Sequence, residues 1–294
     1  MLNARNVATG LAVSFLVLSF AALPGVDAGP AQTAASDLIY VPVMVTDNKN
    51  VPVATLKEAD FQLLEDNKEQ KVTYFSAAGE PMTLQMVLGL SARGPVTSPG
   101  QLDRVTKDIL NAVSLVREAG SGTPVVDQIP LDSDSMFNVM AKNMDALSKQ
   151  SNPRRALVVI SDGMISSGMQ PANAPLPKAP IEASKVVPFP IHFLTVFTTQ
   201  PPPSFQEGTN NSTGYYLQQM ADFSGGEALT GQIDNDLARV ATNLRDRLKN
   251  QYVLGYKSPN MTKDGKWRKI NVKINPAAGK FKLNFKERHF VPKA

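Results

Sequence analysis

Two short segments place polar groups directly after apolar runs: Gly89-Leu90-Ser91-Ala92-Arg93 and Ser161-Asp162-Gly163. In open α/β sheets, ligands bind beyond the carboxyl ends of the strands, where the loops diverge, so chemistry is expected at such ends. Acyl transfer there needs a nucleophile beside a base. Ser91, Ser161 and Ser166 lie in suitable loops, but the chain has no Gly-x-Ser-x-Gly elbow, no cysteine, and only His192 and His289 as histidines. His192 falls inside an expected strand, where the ordinary role is that of a satisfied core residue. Phosphate chemistry fares no better, because Glu118-Ala119-Gly120-Ser121-Gly122 lacks the lysine and the preceding strand of a phosphate-binding loop. The expectation is a protein that is not an enzyme.

The elements that hold these loops have the pattern of a doubly wound α/β sheet. Met82 to Leu90 and Ala156 to Ile160 are nearly continuous apolar runs, as suits parallel strands buried on both faces. Ser98 and Pro99 resemble a helix start, and Leu102, Val105, Ile109, Val113 and Val116 then mark one helical face. A second helix is expected from Ser133 to Lys149 and a third from Ser212 to Phe223, which Gly225 and Gly226 can end through a left-handed cap. Asp236 to Lys249 reads as the most regular helix. Proline-rich loops are expected between Gly163 and Val186 and from Pro201 to Thr213, on either side of a strand in Val186 to Phe197. Alternating strands and helices of this kind argue for a mostly parallel sheet.

The two ends of the chain read differently. Val41, Val43 and Val45 alternate along Leu38 to Asp47, a period-two strand followed by a turn at Asp47-Asn48-Lys49-Asn50. Thr55 and Glu58 fit a capping box over one helical turn. Phe61 to Glu65 and Lys71 to Phe75 are expected to form a hairpin across Asp66-Asn67-Lys68. At the other end, Gln251 to Tyr256, Trp267 to Ile274 and Phe281 to Val291 return to strand character without crossover helices. They must therefore pair antiparallel, and the amino-terminal strands are the available partners. The expected division is a signal peptide at 1–28, a linker at 29–36, a β module at 37–78, an α/β domain at 79–250, and strands at 251–294 that complete the module.

With 294 residues and 43% hydrophobic content, the chain can build a real core, and a formal charge of +4 bears on solubility more than on fold. Arg5, the apolar stretch Gly10 to Leu23 and Val26-Asp27-Ala28 have the form of a bacterial export signal cleaved after Ala28; the alternative is an uncleaved membrane anchor. A secreted or periplasmic location follows, with no transmembrane span in the mature chain. Export also argues against nucleic acid as a partner. The lysine-rich tail is read as a solvated face that discourages edge pairing, the alternative being a surface for anionic envelope polymers or lipid headgroups. Asn210 and Asn260 sit in short matches to glycosylation acceptors.

Taken in order, Val41 to Phe75, Leu157 to Gly163, Leu217-Gln-Gln-Met-Ala-Asp-Phe-Ser-Gly-Gly and Gln251-Tyr-Val-Leu-Gly-Tyr resemble the von Willebrand factor type A domain, and more narrowly the acidobacterial type A-related secreted proteins. The resemblance implies a divalent cation, magnesium or manganese, held by an Asp-x-Ser-x-Ser loop, a distant threonine and a later aspartate, with its shell completed by a partner's carboxylate. Carried over position by position, Gly89 replaces the first aspartate, Ser91 keeps the first serine, Arg93 replaces the second, Ser135 stands for the threonine and Asp162 keeps the last aspartate. A guanidinium repels a divalent ion while still offering donors to a carboxylate. Either Arg93 pairs with Asp162 in the metal's place, or it points into solvent.

The chain also leaves room for only one short strand, near Thr123 to Ile129, where the resemblance implies two, so the sheet is expected to be reduced. The reading that results is a non-catalytic protein without a cofactor, contacting a protein partner through Ser91, Arg93, Ser135 and Asp162 around a degenerate metal site. The alternative is metal-dependent adhesion, with magnesium or manganese on Ser91, Ser135 and Asp162 and with Asp132 or Asp134 replacing the lost aspartate.

Overall fold

The computed structural model describes residues 38–89, 99–120, 125–128, 136–161, 178–197, 213–233 and 236–293. The chain opens with β1 (Leu38–Thr46), β2 (Phe61–Glu65), β3 (Lys68–Gln70) and β4 (Tyr74–Ser76). Val41, Val43 and Val45 are buried together, as their spacing requires. Asp47 closes the following turn by accepting from Lys49 N–H at 2.8 Å and Val51 N–H at 2.9 Å through Oδ1. The expected capping box is displaced. Lys57 N–H donates to Asp60 Oδ2 at 2.7 Å, so Asp60 rather than Glu58 supplies the carboxylate to the short 3₁₀ turn Glu58–Asp60.

The expected hairpin is also shorter. Asp66 and Asn67 both have positive φ, 47° and 65°, which makes a two-residue turn of the kind that matches strand twist. That turn sets Lys68 opposite Glu65, pairing ends at Gln70, and the chain crosses to another sheet as β4.

The central part runs β5 (Thr83–Gly89), α1 (Pro99–Arg117), β6 (Val125–Gln128), α2 (Met136–Ser148), β7 (Arg155–Ser161), α3 (Lys178–Val186), β8 (Ile191–Phe197), α4 (Thr213–Ser224), β9 (Ala228–Gln232) and α5 (Leu237–Lys249). Its five strands are all parallel, in the order β6-β5-β7-β8-β9. One face packs on α1 and α5, through Ile109, Val113 and Val116 against Leu84, Met86 and Val158. The other packs on α2 and α4, through Met140, Met144 and Leu217 against Val159 and Phe193. This is the doubly wound fold expected, with the single short strand β6 beside β5. Each buried Val, Leu or Met contributes about 1.5–3 kcal/mol relative to exposure, which locks the alternation of each strand to its two faces.

Two elements differ from expectation. Helix α3 occupies the end of the segment expected to be a loop, and Pro180 is tolerated because it lies in the first turn, where its missing N–H breaks no helical bond. Strand β8 therefore begins only at Ile191, after Pro188 and Pro190. Strand β9, with a weak pattern of its own, forms against β8.

The tail supplies β10 (Tyr252–Lys257), β11 (Lys266–Ile274), β12 (Lys282–Phe285) and β13 (Arg288–Val291). Two four-stranded antiparallel sheets result, β12-β1-β10-β4 and β13-β11-β2-β3, so each mixes strands from both chain ends. Val43, Leu63, Tyr252, Leu254 and Val272 are among the residues that fill the space between them. The run Phe281 to Val291 is two strands rather than one, because the chain changes sheets at Lys286-Glu287. Most tail lysines are exposed as expected; Lys286 and Arg268 are buried. Among the described residues no helix is long and apolar enough to cross a membrane.

Candidate functional site

Gly89 and Ser161 form the last register pair of β5 and β7. From β5 the chain crosses to β6 on one side, whereas β7 leads to β8 on the other, so the order of the sheet reverses between these two strands. A switch point of this kind opens a crevice at the carboxyl ends of the strands. Both residues are buried, and Thr195 of β8 stands beside Ser161 at the same level. Neighbouring strands lie about 4.8 Å apart, so the segments that begin at residues 90 and 162 leave from adjacent points. The structure thus brings together the two strand ends singled out in the sequence. Ser91, Arg93, Ser135 and Asp162 themselves lie outside the described residues, as do Asp132 and Asp134. Ser166, the loop expected from Pro201 to Thr213 as far as Ser212, Asn210 and the amino-terminal export segment also fall there, while Thr213 begins α4. Among the described residues no group of three or more His, Asp or Glu side chains could hold a metal ion.

Two consecutive arginines anchor β7 at its other end. Arg154 is 1% exposed, and its guanidinium donates to the carbonyls of Leu248 at 3.0 Å and Lys249 at 2.8 Å, to Ala77 at 3.0 Å, and to Gln251. It caps the carboxyl end of α5, where free carbonyls and the helix dipole favour a cation. Burial lowers its pKa to about 10, so it remains charged. Arg155 points to the opposite face and donates to Leu147 at 3.0 Å, Ser148 at 3.3 Å and Gln150, capping α2, with its guanidinium 5.6 Å from the Phe189 ring. Adjacent strand residues face opposite ways, so one dipeptide fastens a helix on each side of the sheet.

A cavity of about 670 Å³ lies at the amino-terminal end of β9, away from the switch point. Helix α4 and Arg247 of α5 form one wall, and Asn284 to Arg288 of the β module form the other. One glycine allows these parts to meet, and the next lets the end of α4 lie on β8. Gly225 has φ +84° and closes α4 by donating to Ala221 O at 2.9 Å, the left-handed cap expected. A side chain on Gly225 would come 2.8 Å from Lys286 Cβ, and one on Gly226 would come 2.0 Å from Ile191 O. Lys286 Nζ lies 3.3 Å from Val187 O and 3.5 Å from Lys185 O, at the end of α3, and burial lowers its pKa to about 8.

His192 sits beneath this cleft and is 4% exposed. Neither ring nitrogen has a hydrogen-bond partner among the described residues, which corrects the expectation of a satisfied core histidine. Burial, with Arg247 nearby, pushes its pKa down to about 3, so the ring is neutral and offers one donor and one acceptor. Beside it, Glu227 Oε1 accepts from Arg247 and from Asn284 Nδ2 at 2.8 Å, while Glu227 Oε2 and Gln251 Oε1 are buried without partners among the described residues. Two of the stretches that carry the sequence resemblance, Leu217 to Gly226 and Gln251 to Tyr256, both border this region. Their composition was legible, but no chemistry-bearing spacing marked them as a site.

No family model matches the sequence, and no curated protein matches it. Two solved structures are similar to the chain in part. The conserved hypothetical protein BatB from Bacteroides thetaiotaomicron shares 14% identity over 56% of this chain and 98% of its own, with a TM-score of 0.36. A von Willebrand factor type A protein from Catenulispora acidiphila shares 8% identity over 79% of this chain and 72% of its own, with a TM-score of 0.39.

Proposed function

We propose that this chain is an exported, non-catalytic member of the acidobacterial type A-related secreted proteins that binds a protein partner at the switch-point end of its parallel sheet. The observation that carries the reading is the pairing of Gly89 with Ser161. It sets the position taken by the first metal-binding aspartate in type A domains beside the strand that leads to Asp162, and glycine has no carboxylate to offer there. With Arg93 at the second serine position, two ligands are absent and a cation is supplied. The site then recognises an acidic group on the partner directly, by charge-assisted hydrogen bonds, with no cofactor between them.

Titration calorimetry of the protein with magnesium and with manganese, alongside an Asp162→Ala control, tests this reading. The expected result is no saturable heat from either ion. Heat that appears with the parent and vanishes in the control would overturn it in favour of metal-dependent adhesion with a replaced ligand. A photoreactive residue at position 93 is expected to cross-link one partner that a residue at the exposed Lys269 does not reach.

A further inference from the structure

We propose that the cleft between the α/β sheet and the β module is a binding site for a neutral, hydroxyl-rich ligand, a short oligosaccharide. The inference is independent of the partner site, which lies at the other end of the parallel sheet. A volume of about 670 Å³ falls in the range of small-molecule sites. Its walls carry both signs of charge: Asp222, Glu227 and Glu287 against Arg247 and Arg288. A ligand with a fixed charge would meet a like charge on one wall, whereas a hydroxyl both donates and accepts and finds a partner on either. Gln218 and Asn284 add amides of the same dual character.

A second observation comes from the floor. The cleft shares Gly225, Glu227, Arg247 and Asn284 with an inner recess of about 10 Å³, which holds one hydroxyl-sized group. The recess is lined by His192 and Gln251, both more than nine-tenths buried. Their unpartnered atoms, with Glu227 Oε2, make a set of acceptors and one donor in which buried polar groups are costly to leave unpaired. A single hydroxyl that donates to Glu227 or Gln251 and accepts from the neutral His192 supplies the only donor of that set and one of its acceptors with a partner. A carboxylate would oppose Glu227, and an ammonium would oppose Arg247.

The chain has one tryptophan, Trp267, and the Arg288 guanidinium lies 5.5 Å from its ring, so its fluorescence reports on the cleft. The test titrates the full protein with maltotriose, cellotriose and tri-N-acetylchitotriose while following that signal. At least one is expected to give a saturable change, weakened tenfold or more in Asn284→Leu and in Gln218→Ala, and unchanged in Lys269→Ala. Gln218 is on the exposed side of α4, so its variant keeps the test decisive if Asn284→Leu does not fold. No saturation with any of the three sugars overturns the proposal, as does binding that survives both cleft variants. Tighter saturation by the tripeptide Ala-Ala-Ala would assign the cleft to peptides and overturn it equally.

Discussion

Gly89 stands opposite Ser161 at the last level shared by β5 and β7, where the sheet reverses its direction of winding. The pair fixes where the two polar loops begin, and it leaves the first of them without a carboxylate. Supplying one is a direct test of what was lost. Gly89 lacks a positive φ, so an aspartate is compatible with its backbone. The double variant Gly89→Asp, Arg93→Ser is expected to gain saturable magnesium or manganese heat in calorimetry, which a further Asp162→Ala change abolishes. A double variant that stays silent would separate this loop from the metal loop it resembles.

Arg154 is expected to be among the costliest single residues to replace. Arg154→Met leaves the carbonyls of Ala77, Leu248, Lys249 and Gln251 without their donor, and each buried acceptor left bare costs about 1–3 kcal/mol. Some regain water, so a net loss of roughly 3 kcal/mol is expected in equilibrium urea unfolding. Arg154→Lys should recover less than half, because one ammonium cannot span four carbonyls as a planar fork does. A loss below about 1 kcal/mol would contradict the clamp.

Two glycines separate close packing from backbone strain. Gly226→Ala drives a methyl to 2.0 Å from Ile191 O, a backbone atom that cannot step aside, so a loss of about 3 kcal/mol or more is expected. Gly79 has φ +84° but open space around its side-chain position, so Gly79→Ala pays only for the left-handed conformation, about 1 kcal/mol. Thermal or urea unfolding of the two variants should show that gap, and equal losses would refute the argument.

Acid should destabilise the protein through His192. Its pKa falls from 6.5 to about 3 on folding, so between these values the unfolded chain binds a proton that the folded one refuses. Stability is then fully present above pH 6.5 and lost as pH falls towards 3, at up to about 1.4 kcal/mol per pH unit. His192→Leu is expected to gain on the parent by roughly 3 kcal/mol between pH 7 and pH 4 in urea unfolding. His289, held near 4 by burial with Lys286 and Arg268 close by, adds a second component that survives in this variant. A pH-independent difference between parent and His192→Leu would remove His192 from the account.

Lys286 acts in the alkaline range. With a pKa near 8 in place of 10.5, the folded chain sheds a proton that the unfolded chain keeps, so stability should rise as pH climbs from 8 to 10.5. Lys286→Met should flatten that rise, again read by urea unfolding.

By itself the sequence determined the alternation of apolar strands and amphipathic helices, and hence the doubly wound sheet, because burial on one or two faces is written in periods of two and 3.6 residues. Val41, Val43 and Val45 declared their face, as did Leu237, Val240, Ala241, Leu244 and Leu248 of α5. The absence of crossover helices in the tail was enough to send its strands back to the amino-terminal module. The strand ends at Gly89 and Ser161 were likewise legible, since a polar turn after a buried run marks the edge of a sheet.

Only the tertiary structure decided which groups meet across distance. Asp60 takes the cap from Glu58 because it is the carboxylate that reaches Lys57 N–H, and β9 exists because β8 offers it a ladder. The tail run divides at Lys286 because the two sheets of the sandwich each need an edge. Arg154 and Arg155 look like two surface cations in sequence; buried, they cap helices on opposite faces. His192, Glu227, Gln251 and Asn284 are scattered over 93 positions, and no periodicity links them. They share one cavity because Gly225, lacking a side chain, lets Lys286 of the β module come against the end of α4, while Gly226 lets that end lie on Ile191 of β8.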